Sequence, residues 1–80
     1  MKILFYGRLS EAIAPEIELA SSSNCSIAEL RQRLAAAHPH AAATLRSQRS
    51  RALINSSLVG EDFVIGASDQ IEFLPPVSGG

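Results

Sequence analysis

The chain opens on apolar residues without a polar break. Residues 2–7, KILFYG, carry Ile3, Leu4, Phe5 and Tyr6 in succession. A short unbroken run of β-formers reads as a strand covered on both faces, so a first, central strand is expected there. GRLSEAIAP follows, and Pro15 closes whatever turn or short helix lies in it. Residues 16–20 alternate as E-I-E-L-A, which sets Ile17 and Leu19 on one face. That pattern predicts a half-buried strand, antiparallel to the first across a short connection. SSSNCS, residues 21–26, reads as a polar loop.

The period then changes. Ser26 followed by Glu29 forms an S-x-x-E capping box ahead of an apolar repeat. Ile27, Leu30, Leu34 and Ala37 are spaced by three, four and three, so they share one helical stripe. Arg31, Gln32 and Arg33 are expected largely on the other side. Pro39 disfavours a helical His38 and ends the helix. AAATLR predicts another turn or two, and residues 46–51 a polar, basic loop. ALIN (52–55) reads as a third strand, NSS as a turn, LVG as a short fourth strand, VIGASDQ as a further turn, and IEFLP as the last strand. One amphipathic helix cannot bury its stripe alone, and a sheet covering it is the natural two-layer solution. The expected class is α+β: a β-grasp arrangement with a mixed sheet of about five strands packed on one main helix. It occupies residues 1–76 as one domain, with residues 77–80 as a flexible C-terminal tail.

Composition narrows the function classes. The chain has 80 residues, 46% of them hydrophobic, enough for one core. A net charge of −1, with both signs interspersed, argues against a nucleic-acid or anionic-membrane surface. The apolar runs are far too short to span a bilayer. The opening MKILFYGRLSE has too short an apolar stretch for a signal peptide. Cys25 is the one cysteine, so no internal disulfide forms, and a cytoplasmic protein is expected.

Several chemistries are missing. The chain has no GxxxxGK[ST] loop, no GxGxxG and no recognisable nucleophile motif. His38 and His40 flank a proline that forces them apart, with no third ligand, so no metal site is expected. Cys25 lacks a nearby Lys, Arg or His to lower its pKa and reads as incidental. Asn55, Ser56 and Ser57 match a glycosylation acceptor but read as a tight turn. Arg46, Arg49 and Arg51 form a small basic cluster, read as a solvated loop with docking against an acidic partner as the alternative.

The ending IEFLPPVSGG is left. Gly79 and Gly80 lack a Cβ, so they can thread a narrow tunnel and leave a carbonyl open to attack. Pro75 and Pro76 stiffen the base of the tail and give it a direction. Residues 77–80 extend at most ~13–14 Å at about 3.3–3.6 Å each. A terminal carboxylate is ionised at neutral pH and is a poor acyl donor. With no nucleotide site in the chain, its activation falls to a separate ATP-using enzyme.

These residues carry a resemblance. KILFYGRLSE, SIAELRQRL, ALINSSLV and above all FLPPVSGG are similar to the small, sulfur-carrying subunits of molybdopterin synthase, within the ubiquitin-like β-grasp superfamily. The resemblance implies that an E1-like adenylyltransferase adenylates the Gly80 carboxylate, and that a sulfurtransferase-fed step converts it to a thiocarboxylate. Gly80 would thus pass through a glycyl adenylate to 1-thioglycine, with no bound cofactor. It further implies a heterotetramer of two small and two large subunits. In the large subunit the sulfur passes to the cyclic pyranopterin precursor during molybdenum cofactor biosynthesis. The small subunit is then a sulfur donor rather than a catalyst. Gly80 bears the sulfur, and Gly79, Ser78, Val77, Pro76 and Pro75 set the tail's passage. Phe73, Leu74 and Arg8 are the candidate partner contacts. Phe73 and Leu74 point to opposite faces, so one of the two must be core. Two departures stand out: Ser10 replaces a basic residue common before the glutamate, leaving Arg8 as its substitute, and residues 67–70 read ASDQ where an Asp-Gly turn is common. The alternatives are a sulfur carrier for thiamine or tRNA thiolation, a ubiquitin-like protein modifier, and a non-reactive β-grasp interaction module.

Overall fold

In a computed structural model, the described residues are 1–20, 24–47 and 49–75. They form a five-stranded sheet with helices against one face. Strand β1 (Lys2–Phe5) lies between β2 (Glu16–Glu18), antiparallel, and β7 (Gln70–Leu74), parallel. Beyond β7 come β4 (Arg51–Ile54) and β5 (Ser57–Val59), each antiparallel to its neighbour, so the order is β2-β1-β7-β4-β5. The last strand therefore sits at the centre. Parallel neighbours need a long crossover, and helix α2 (Ile27–Ala37) lies within it. Two short helices, α1 (Arg8–Ala12) and α3 (Ala42–Arg46), complete the helical layer.

Alternation along the strands builds the core. Ile3, Phe5, Ile71, Phe73, Ala52 and Ile54 face the helices and are buried. Phe5 and Phe73 are register partners, and their rings stack with centroids 6.1 Å apart. The opposite residues of β1, Lys2 and Leu4, are half-buried, so the opening strand is central in the sheet but covered on one face only.

The capping box forms as read. Ser26 Oγ accepts from the Glu29 amide at 3.1 Å, and Glu29 Oε1 accepts from the Ser26 amide at 2.9 Å. That second bond holds the Glu29 carboxyl below the usual carboxylate range. The stripe differs in detail. Ile27, Leu30 and Leu34 are buried, but Ala35 rather than Ala37 completes the face, and Arg31 lies inside with them. Arg31 follows Ile27 by four residues and so shares its side of the helix. A charge there needs partners, and the basic loop supplies them. Arg31 Nη1 is shared among Leu45 O (2.7 Å), Ser47 O (3.1 Å) and Ser50 Oγ (2.6 Å). Nη2 donates to Ser50 O at 2.6 Å. Nε sits 2.8 Å from Glu61 Oε1 without a well-aligned hydrogen bond, so that contact is ionic. The guanidinium carbon lies 5.4 Å from the Phe73 ring centroid.

Two further differences concern short elements. Cys25 is not in a polar loop. It opens β3 (Cys25–Ser26), pairs with Ile65 of β6 (Val64–Ile65), and is buried. Two-residue strands leave no readable alternation. The turn before β7 closes without Asp-Gly: Asp69 Oδ2 accepts from the Gly66 amide at 2.8 Å. Asn55 and Ser56 both have positive φ, 52° and 66°, the signature of a two-residue hairpin turn between β4 and β5.

Ser26→Ala should cost about 1 kcal/mol, read from chemical denaturation. Because the folded pKa of Glu29 is lowered, its contribution is present above its unfolded value and lost as pH falls through the folded one. The gap between wild type and Glu29→Gln should therefore close in acid. Arg31→Ala should lower stability by about 3 kcal/mol or more, since the Ser50 carbonyl and Glu61 lose their partner.

Candidate functional site

The site is the point where the last strand leaves the sheet. Phe73 is wholly buried, so the alternative of a partner contact is corrected for this residue: its alternation places it in the core under Arg31 and against Phe5. Leu74 points to the other face and is half-buried. Pro75 is the last described residue. The expected passage residues Pro76, Val77 and Ser78, and the expected reactive pair Gly79 and Gly80, lie outside the described residues.

The exit is framed by the two strands that flank β7. On one side β1 ends in Phe5, beside Phe73, and Tyr6 and Gly7 follow. Gly7 has φ +58° and ψ −131°, a mirror-image β conformation that side chains resist. A Cβ there would stand 2.8 Å from Pro75 Cγ. The missing side chain thus makes room for the first proline of the tail. On the other side Arg51 is the register partner of Leu74. Arg8, the first residue of α1, is exposed next to Gly7.

The sheet face turned away from the helices belongs to the same region. Register aligns Leu4, Glu72, Leu53 and Leu58 in one row across four strands. Leu58 is 63% exposed and Tyr6 42%. The Tyr6 hydroxyl donates to Glu72 Oε2 at 2.9 Å, and this bond to a carboxylate raises the phenol's pKa above its usual value. Tyr6 and Leu58 were missed in the sequence because each sits in a run that reads as core. The hairpin register, counted from Asn55 and Ser56, was the signal that would have turned Leu58 outward. Phe63 and Val64 are also exposed, near the β3–β6 pair.

Among the described residues, no group of three His, Cys, Asp or Glu side chains is placed to hold a metal. No helix there is long and apolar enough to cross a membrane.

A mixed sheet with parallel central strands, one crossing helix and a chain end leaving the middle strand defines a ubiquitin-like β-grasp protein. Two crystal structures share this fold. SAMP1 from Haloferax volcanii superposes with a TM-score of 0.77 at 22% identity, covering 99% of this chain and 97% of its own. The second, H. volcanii small archaeal modifier protein 1, gives 0.75 at 19% identity, with 95% of each chain covered. The ThiS family model matches residues 3–80, and the chain belongs to that family. It is 29% identical over 80 residues to the molybdopterin synthase sulfur carrier subunit of Escherichia coli (strain K12), covering 100% of this chain and 99% of the relative.

Gly7→Ala should destabilise the fold by about 1–3 kcal/mol through its positive φ and its collision with Pro75. A shift of the denaturation midpoint checks this, and an NMR shift change at Pro75 would confirm where the strain falls.

Proposed function

We propose that this protein is the sulfur carrier subunit of a molybdopterin synthase, with the Gly80 carboxylate as its reactive group. The observation that carries the reading is the match to a named sulfur carrier subunit along the whole of both chains. In this reading residues 1–76 are the folded carrier and residues 77–80 its arm. An E1-like adenylyltransferase transfers AMP from ATP to the Gly80 carboxylate, releasing pyrophosphate. Sulfur delivered through a sulfurtransferase, and reduced to the sulfide level by a thiol, takes the place of AMP on the acyl carbon, leaving a thiocarboxylate. The arm enters the large subunit of a two-plus-two complex, and its sulfur passes to the cyclic pyranopterin precursor. The reading places this chemistry in the cytoplasm, without nucleic acid or membrane.

The geometry supports a donor that is not itself a catalyst. Tethering makes the sulfur's attack effectively intramolecular once the arm is seated. Seating requires a fixed base, and β7 provides one at the centre of the sheet, with Phe73 locked in the core. The partner must also press against the exit, because the arm spans only ~13–14 Å. Leu74, Tyr6 and Leu58 are the side chains with apolar surface offered on that sheet face, and Arg8 follows Gly7 on the β1 side. Exposed aromatic and aliphatic residues of this kind suit the centre of an interface.

Intact mass, measured on protein made in cells that hold the activating enzyme, tests the chemistry. One sulfur in place of one oxygen at Gly80 is the expected result, and its complete absence would sink the carrier reading. Capture of a molybdopterin synthase large subunit then fixes the pathway, whereas capture of a thiamine or tRNA thiolation enzyme would redirect it. Deleting Gly80 should abolish sulfur transfer and leave the melting temperature nearly unchanged.

A further inference from the structure

Beside the exit, residues 49–52 and 59–61 enclose a groove of about 360 Å³. Arg49 and Arg51 line it, with the buried Arg31 and its partner Glu61 at the floor. A second hollow of about 190 Å³ borders the same Arg31 and Glu61 and is lined by Arg46. Arg46, Arg49 and Arg51 are all exposed. The three make an arc along two hollows, Arg49 and Arg51 on the first and Arg46 on the second, and both hollows touch the internally neutralised Arg31–Glu61 pair. Among the described residues, no carboxylate lies within ion-pairing distance of any of the three, whereas Lys2, the N-terminus and Arg31 each have one. Asp62, next to Glu61, is the exposed acid adjoining this region in sequence.

The arc's position gives it meaning. Arg51 is paired in register with Leu74, one residue before Pro75, so the groove adjoins the exit on the β4 side while Arg8 stands on the β1 side. The network holding Arg31 also fixes the arc's backbone, because Ser47 and Ser50 are its acceptors.

We propose that the tail-receiving large subunit carries acidic side chains around the mouth of its channel, and that these dock on the arc of Arg46, Arg49 and Arg51. This rests on the carrier reading above. Charges at the edge of an interface act mainly on the rate of encounter and on partner choice. The arc therefore steers the tail toward the channel before apolar contact forms, and its effect is screened by salt.

The test is association kinetics of the full chain with the large subunit of molybdopterin synthase from the same source. Arg49→Glu with Arg51→Glu should slow association about tenfold at low ionic strength and leave dissociation little changed. The difference should shrink above ~0.15 M salt, where the Debye length is about 8 Å. Arg49→Lys with Arg51→Lys should keep most of the rate, and unchanged circular dichroism and melting would exclude misfolding. Wild type that binds with a rate insensitive both to salt and to charge reversal overturns this inference alone. Wild type that neither binds the large subunit nor gains sulfur overturns the carrier reading with it. Two other occupants are separable by NMR of the arginine side chains. Perturbation by inorganic phosphate at millimolar concentration would make the groove a small-anion site. Perturbation on deleting Gly79 and Gly80 would assign it to the chain's own carboxylate. Either result overturns an acidic partner.

Discussion

One buried guanidinium holds the layers of this small domain together. Arg31 leaves helix α2 on the same side as Ile27 and Leu34, and five acceptor contacts gather around it. They come from one stretch, the end of α3 with the loop that follows it, and from Glu61 further along the chain. Its flat face lies over Phe73, a contact worth roughly 2 kcal/mol when desolvated. A domain of this length buries only ~60% of its unfolded surface, so its apolar core alone leaves a thin margin. A charge that is costly to bury becomes useful when it ties a loop without regular structure to the sheet.

The same contact reaches the end of the last strand. Phe73 is held from above by Arg31 and from the side by Phe5, and it stands two residues before Pro75. The chain end therefore leaves from a clamped position, with Gly7 on one flank and Arg51 on the other. Fold and exit direction are coupled through one side chain. Substitutions in α2 can then shift the end of β7 without touching it.

Much of this was legible in the sequence, for identifiable reasons. The capping box at Ser26 and Glu29 and the alternation at 16–20 are local signals, and both elements form where they were read. The two-layer α+β class followed from the need to cover one amphipathic helix, whereas the strand order came only from the pairing. Arg31 was misplaced because an arginine is assigned by habit to the solvent face, although its spacing from Ile27 puts it on the buried one. Its partners are mostly backbone carbonyls, which a sequence does not distinguish. Cys25 was misread because a two-residue strand has no period. For the candidate site, the tail read from the sequence lies outside the described residues, and the division at 73–74 was not legible. Adjacent apolar residues of a strand look alike until register decides which one faces the helices.

The two edges of the sheet complete the argument about where a partner sits. Edge strands with unpaired backbone invite further pairing, and charged side chains discourage it. Strand β2 displays Glu16 and Glu18, with Glu16 tied to Lys2 and Glu18 to the N-terminus. Strand β5, at the opposite edge, has no charged residue and projects Leu58 into solvent. The guarded edge lies away from the groove, and the unguarded one borders it through Val59 and Gly60. Apolar exposure, basic charge and an unguarded edge thus converge on one side of the exit. That side is where the described surface is least guarded against contact with another protein.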